Sequence, residues 1–142
     1  MSIVYFDSSA LVKLLVDEVG TDLVVALWDS CDVPVSSPLA DAEVCAALGS
    51  LARNHAFSPQ RLHSIVRRWD GYWAAIRRVH LTDAVAHNAG QLAIQRKLRG
   101  ADALHLASAM TLGPYATIFA VFDKQLHAAA EAEHFGLAPV TI

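Results

Sequence analysis

Short apolar runs rich in β-branched and aromatic residues alternate along this chain with longer stretches whose apolar positions recur every three or four residues. The first run, Ser2–Phe6, leaves no polar face and predicts a buried strand. Ser8 or Ser9 is placed to cap a helix through about Val16, with Leu11, Leu14 and Leu15 on its apolar side. Gly20 stops that helix, and Thr21 caps another through about Trp28. Val33–Ser37 reads as a second strand. Ser37-Pro38 then opens a helix to about Arg53, with Pro at its first position, and Ser58-Pro59 repeats the signature for a helix to about Arg78, bent at Gly71. Val79–Leu81 is the third expected strand, and Thr82 caps a helix to about Leu98. After Gly100 comes a helix over 101–112, apolar nearly all round. Thr117–Phe122 is the fourth strand, followed by a helix over 123–135, Gly136 and a last strand near Pro139–Ile142. Strands alternating with helices imply one α/β domain spanning 1–142, with a mostly parallel central sheet of about five strands flanked by helices.

Composition narrows the class. The chain has 142 residues, 54% of them apolar, enough for one sizeable core and too many for a disordered chain. Its two cysteines, Cys31 and Cys45, match no zinc spacing and make no disulfide framework, so a reducing cytoplasm is expected. No apolar run is long enough for a membrane span, and the N-terminal stretch lacks the basic region and cleavage site of a signal peptide. The net charge of −3 is not that of a strongly basic nucleic-acid binder, but six arginines and a single acid, Asp70, fall between Arg53 and Arg78.

Four carboxylates stand where the chain is otherwise most apolar. Asp7 follows the first strand in Tyr5-Phe6-Asp7, and Asp123 follows the fourth in Val121-Phe122-Asp123. Both therefore belong at the carboxyl edge of the sheet, where open α/β folds bind ligands. Glu43 lies mid-helix among Leu39, Ala40, Ala46 and Ala47, and Asp102 opens the apolar helix at 101–112. Taken singly, each Asp has a plain explanation, as a helix cap or a partner of the helix dipole. Taken together, they are explained by a hard divalent cation, Mg²⁺ or Mn²⁺, whose oxygen ligands they would supply for attack on a phosphodiester. The four are expected to converge in one acidic pocket.

These segments resemble the PIN domain, specifically the small stand-alone VapC-type toxin ribonucleases, over nearly the whole chain. VYFDSSALVKLL is similar to the family's opening strand and first acid, and SSPLADAEVCAAL to the helix carrying its glutamate, here Glu43. LRGADALHLASAM holds the family's Arg-Gly-x-Asp-Ala-x-His-Leu-Ala pattern entire, with Asp102 as its acid. FAVFDKQLHAAAE is similar to the last motif, with Asp123 as the fourth acid. Val121 departs from the pattern, standing where the family often has Thr or Ser. The resemblance implies a metal-dependent endoribonuclease, the toxin of a type II toxin–antitoxin pair, with RNA as substrate, a cognate antitoxin that covers the site, and a homodimer.

Other residues divide between chemistry and packing. Ser8 and Arg99 are the accessory candidates: Ser8 beside the cation site, Arg99 for a phosphate at its mouth or as a solvated loop residue. His105, one turn after Asp102, reads as a packed histidine of the helix layer rather than a ligand. Trp69, Tyr72, Trp73 and Ile76 form one helical stripe, core or dimer interface rather than a base-stacking platform, while the neighbouring arginines suit RNA phosphates, antitoxin carboxylates or solvent. A serine nucleophile lacks its Gly-x-Ser-x-Gly elbow. A receiver-type switch would need an acid pair after the first strand, and a haloacid-dehalogenase-like phosphatase Asp-x-Asp; Asp7 is followed by Ser8-Ser9. The non-enzymatic alternative is a non-catalytic PIN-like module that binds RNA or protein.

Overall fold

Successive side chains of the first strand, β1 (Ile3–Phe6), go to opposite faces of the sheet, and both faces are buried. Val4 and Phe6 pack into one core with Ala10, Leu11, Val24, Val44, Leu48 and Trp69. Tyr5 packs into the other with Val85, Leu92, Leu106, Phe119, Leu126 and Phe135. The computed structural model describes every residue from Met1 to Ile142 and gives three layers, helix–sheet–helix.

Strands β2 (Val33–Ser36), β3 (Arg77–Arg78), β4 (Thr117–Ala120) and β5 (Gly136–Ala138) complete a five-stranded sheet in the order β3-β2-β1-β4-β5, parallel at every pairing. The first core is covered by α1 (Ser8–Val12), α2 (Thr21–Ser30), α3 (Leu39–Arg53) and α4 (Pro59–Ala75); the second by α5 (Asp83–Arg96), α6 (Gly100–Met110) and α7 (Lys124–Ala132). Strand order reverses between β1 and β4, which places a crevice at the carboxyl ends of those two strands. No helix is long and apolar enough to cross a membrane.

Several boundaries differ from those the residue pattern predicts. Asp7, not Ser8 or Ser9, caps α1, accepting from the Ala10 N–H. That helix ends at Val12 rather than Val16, because the next residues tighten into i→i−3 bonds from Lys13, Leu14 and Leu15. Arg68 Nη2 then takes up the Leu14 carbonyl at 3.1 Å. Thr21 does not cap α2: its hydroxyl accepts from the Glu18 N–H, and Gly20 occupies the cap position. Pro38 rather than Ser37 stands at the cap of α3, and α4 stops at Ala75, three residues short of Arg78. The third strand is Arg77–Arg78 instead of Val79–Leu81, and the last ends at Ala138, before Pro139, which has no N–H for a ladder. The stripe at Trp69 and Ile76 is core, with Tyr72 and Trp73 packed against it.

Gly20 is required both by backbone and by space. Its φ is +96°, and a Cβ there would lie 2.6 Å from the Phe122 ring, whose residue directly precedes Asp123. Gly20→Ala should therefore destabilise by roughly 1–3 kcal/mol through left-handed strain and overpacking. Urea denaturation would show a lower midpoint at unchanged slope; an unchanged midpoint would mean that the ring moves freely.

Candidate active site

The crevice between β1 and β4 is built around Asp7. Its N–H donates to the Ala120 carbonyl at 3.2 Å, so the residue after β1 is held against the end of β4. The side chain is only 3% exposed. Ser9 Oγ and the Ala10 N–H both donate to Oδ1, at 2.6 and 3.0 Å, and no hydrogen bond falls on Oδ2. Ser9 Oγ in turn accepts from the Phe122 N–H at 3.2 Å, tying Asp7 to the segment that leads into Asp123. Burial pushes the Asp7 carboxyl up to about 6, helped by the charge of Asp102, while His105, Ser9 and Ala10 pull it back.

Glu43 reaches the same edge from α3, which packs in the same helix layer as α1. Its Oε1 lies 2.5 Å from His105 Nε2 on α6. Burial raises the Glu43 carboxyl, but the His105 hydrogen bond and charge, the Ser8 hydroxyl and the charge of Arg99 outweigh it, leaving the group below its ordinary value. Asp102 sits in the first turn of α6, one turn before His105, and Arg99 Nε donates to its Oδ2 at 3.2 Å. The Arg99 side chain is otherwise open to solvent. Tyr5 Oη, at 2.8 Å from His105 Nδ1, completes the buried side of the cluster, and burial, with the Asp7 charge adding to it, holds the phenol well above its usual range.

Glu43 is thus bonded to His105 and Asp102 to Arg99, while Asp7 is coupled to His105 and Asp102 through charge alone. Asp123 stands at the neighbouring strand end as the cap of α7, Oδ1 accepting from the Leu126 N–H at 2.9 Å; no hydrogen bond or ion pair joins it to the other three acids. No three His, Cys, Asp or Glu side chains lie close enough to hold a metal ion as they stand. The donor set nevertheless suits a hard cation. It consists of carboxylate oxygens, with Asp7 Oδ2 and Glu43 Oε2 free of hydrogen bonds, and Mg²⁺ needs only one or two such groups beside water and phosphate.

Two partners escaped the reading of the residues. Ser9 signals itself only by its position two residues after a strand-end Asp. His105 signals itself by sharing a helix face with Asp102, which cannot reveal that Tyr5 and Glu43 meet it from two other elements. Two arginines of the basic segment are also engaged: Arg68 with the Leu14 carbonyl, and Arg78 with the Trp73 carbonyl at 2.7 Å and over the Trp73 ring.

Known proteins share both the sequence and the architecture. A family model described as PIN domain matches residues 4–132. Ribonuclease VapC45 of Mycobacterium tuberculosis (strain CDC 1551 / Oshkosh) and Ribonuclease VapC49 of strain ATCC 25618 / H37Rv are each 49% identical over 142 residues, covering 100% of this chain and 99% of theirs. Ribonuclease VapC35 of the same species is 33% identical over 134 residues, 91% of this chain and 90% of that one. Among solved structures, FitAcB from Neisseria gonorrhoeae superposes with a TM-score of 0.64 at 16% identity, over 95% of this chain and 96% of that chain. FitAB bound to an IR36 DNA fragment gives 0.58 at 17%, over 95% and 93%. With the match running from β1 to the end of α7, and relatives aligned end to end, the chain belongs to the PIN domain family.

Proposed function

We propose that this protein is an endoribonuclease that hydrolyses RNA phosphodiester bonds with the help of Mg²⁺ or Mn²⁺, and that it is the toxin of a type II toxin–antitoxin pair. The observation that carries the reading is the 49% identity of the chain, end to end, to named ribonucleases. It is supported by a buried Asp7 at the strand-order reversal, with Glu43 and Asp102 on helices that meet at His105 and Arg99. On this reading Asp7, Glu43, Asp102 and Asp123 are the catalytic and cation-holding acids. When bound, the cation supplies positive charge against the phosphate and the charge that develops on it. The RNA would be cut in the cytoplasm by a homodimer, and a cognate antitoxin would cover the crevice.

The side chains divide the work. Ser9 and the Ala10 N–H fix Asp7 by Oδ1, which leaves Oδ2 to orient the attacking water. Glu43 is held through Oε1 by His105, with its side chain 31% exposed. Arg99 offers a planar guanidinium that can exchange Asp102 for a phosphate oxygen, since its side chain already lies in solvent. A non-catalytic module would gain only a helix cap from Asp7, at the cost of a buried carboxyl whose burial works against folding.

Purified protein incubated with a structured RNA should cut it in Mn²⁺ and not in EDTA, and Asp102→Asn should cut at least about 100-fold more slowly. Cleavage that survives EDTA would remove the cation from this reading, and intact RNA under every condition would remove the enzyme.

A further inference from the structure

His105 is 1% exposed, yet both of its ring nitrogens are engaged by side chains. Proton positions follow from the partners. A carboxylate only accepts, so the contact with Glu43 Oε1 requires a proton on Nε2. With the proton on Nε2, Nδ1 of the singly protonated ring is bare and lies 2.8 Å from the hydroxyl of the wholly buried Tyr5, placed to accept its hydrogen. The direction is thus Tyr5 O–H to Nδ1, then Nε2–H to Glu43. Tyr5 has no freedom to relax this: its ring stacks on Phe119 at 5.1 Å and meets the His105 ring edge-on. Glu43, by contrast, is partly open, its side chain being 31% exposed.

The bond also crosses the molecule. Glu43 belongs to the α1–α4 layer and His105 to the α5–α7 layer, so the contact clamps the two layers together over the carboxyl edge of the sheet. The helix that carries the clamp carries Asp102 one turn earlier, so α6 sets the position of both acids.

We propose that His105, locked by Tyr5 with its proton on Nε2, is a positioning residue that grips Glu43 by Oε1 and presents Oε2 to the reacting centre. The proposal deepens the ribonuclease reading and rests on Glu43 belonging to that centre. Carboxylates and imidazoles around a metal are commonly oriented in this way, and losing such a partner lowers metal affinity or activity by about 10–100-fold.

The test uses three variants of the full chain. His105→Asn can still meet Tyr5 but falls short of Glu43, whereas His105→Gln places an amide N–H near the position of Nε2. Tyr5→Phe removes only the hydroxyl and preserves the packing on Phe119. Long-range ¹H–¹⁵N spectra of the imidazoles, with His105 assigned by its loss in His105→Gln, should show Nε2–H and bare Nδ1 in wild type. A second tautomer should appear in Tyr5→Phe. Mn²⁺ titrated calorimetrically should bind about 10–100-fold more weakly to His105→Asn and within about threefold of wild type to His105→Gln. RNA cleavage should follow in kcat, with KM kept. A wild-type ring protonated on Nδ1 would overturn the proposal, as would His105→Asn with wild-type Mn²⁺ affinity and kcat. A wild-type protein that takes up no Mn²⁺ would remove the cation from the proposed function instead; the clamp would then be upheld or overturned by the ring protonation and its change in Tyr5→Phe.

Discussion

Asp7→Asn should give a protein that is more stable without metal and nearly inactive. Burial raises the Asp7 carboxyl from 3.8 to about 6, so the folded state holds that proton more tightly than the unfolded chain does. The sign follows: between pH 3.8 and about 6 the folded state binds more protons, so stability falls as pH rises through this window and is level above it. Two pH units correspond to about 3 kcal/mol, an upper figure for what the buried charge costs at neutral pH. Asn removes the charge and can still accept from Ser9 and Ala10 through Oδ1, while its new N–H₂ group offsets part of the gain by wanting a partner. Melting at pH 8 should rise by a few degrees, with little difference near pH 4. Mn²⁺ should raise the melting temperature of wild type more than that of the variant, by mass action on the folded state. Cleavage of RNA should fall by about 10³-fold or more, because the centre loses an anionic oxygen and the water its orientation. A variant that is destabilised without metal and still cuts RNA would make Asp7 a helix cap and nothing else.

Trp69→Ala should be the most damaging single change in the fold. The indole is completely buried among Leu11, Val44, Leu48 and Ile65, packs against Trp73 at 5.4 Å, and donates from Nε1 to Asp41 Oδ1 at 2.8 Å. Large aromatic-to-Ala truncations in cores cost about 3–5 kcal/mol, a large share of the 5–15 kcal/mol that holds a typical domain together. Trp69→Phe keeps most of the apolar volume and should lose only about 1–2 kcal/mol, mainly by leaving Asp41 without its donor. Urea midpoints measure both. The same pair of variants bears on RNA. A stacking platform would leave Trp69→Ala folded and weaken RNA binding, whereas a core residue makes the two losses inseparable. A normally folded Trp69→Ala would contradict the burial described here.

The order of elements is legible because each strand is an apolar run and most helices open on a residue that says so: Ser58, Thr82 and Asp123 all cap as their positions suggest. The third strand shows where such reading stops. Val79–Leu81 has the strand-like side chains, but Val35 and Ser36 pair with Arg77 and Arg78, whose side chains are exposed and whose contribution is purely backbone. Hydrophobicity carries no information about an edge ladder of that kind. The acids stand out through their apolar surroundings, an energetic anomaly visible without coordinates. His105 does not, since a histidine inside a helix layer looks alike whether it fills space or joins Tyr5 to Glu43. That difference is made by strands and helices far apart in sequence.

The strand order sets a timetable as well as a shape. In the order of synthesis Asp7 comes well before β4, and β2 can join β1 in the interval. The strand on the other side of the reversal is β4, Thr117–Ala120, made after α6. Parallel neighbours must wait for their crossover helices, and pairings so distant in sequence form slowly. Half-made chains, or chains cut short before Thr117, therefore hold Asp7 and Glu43 with no crevice between them. A nuclease built on this order cannot assemble its site before β4 has been made and has paired with β1, so making the first acids and completing the site are separate events.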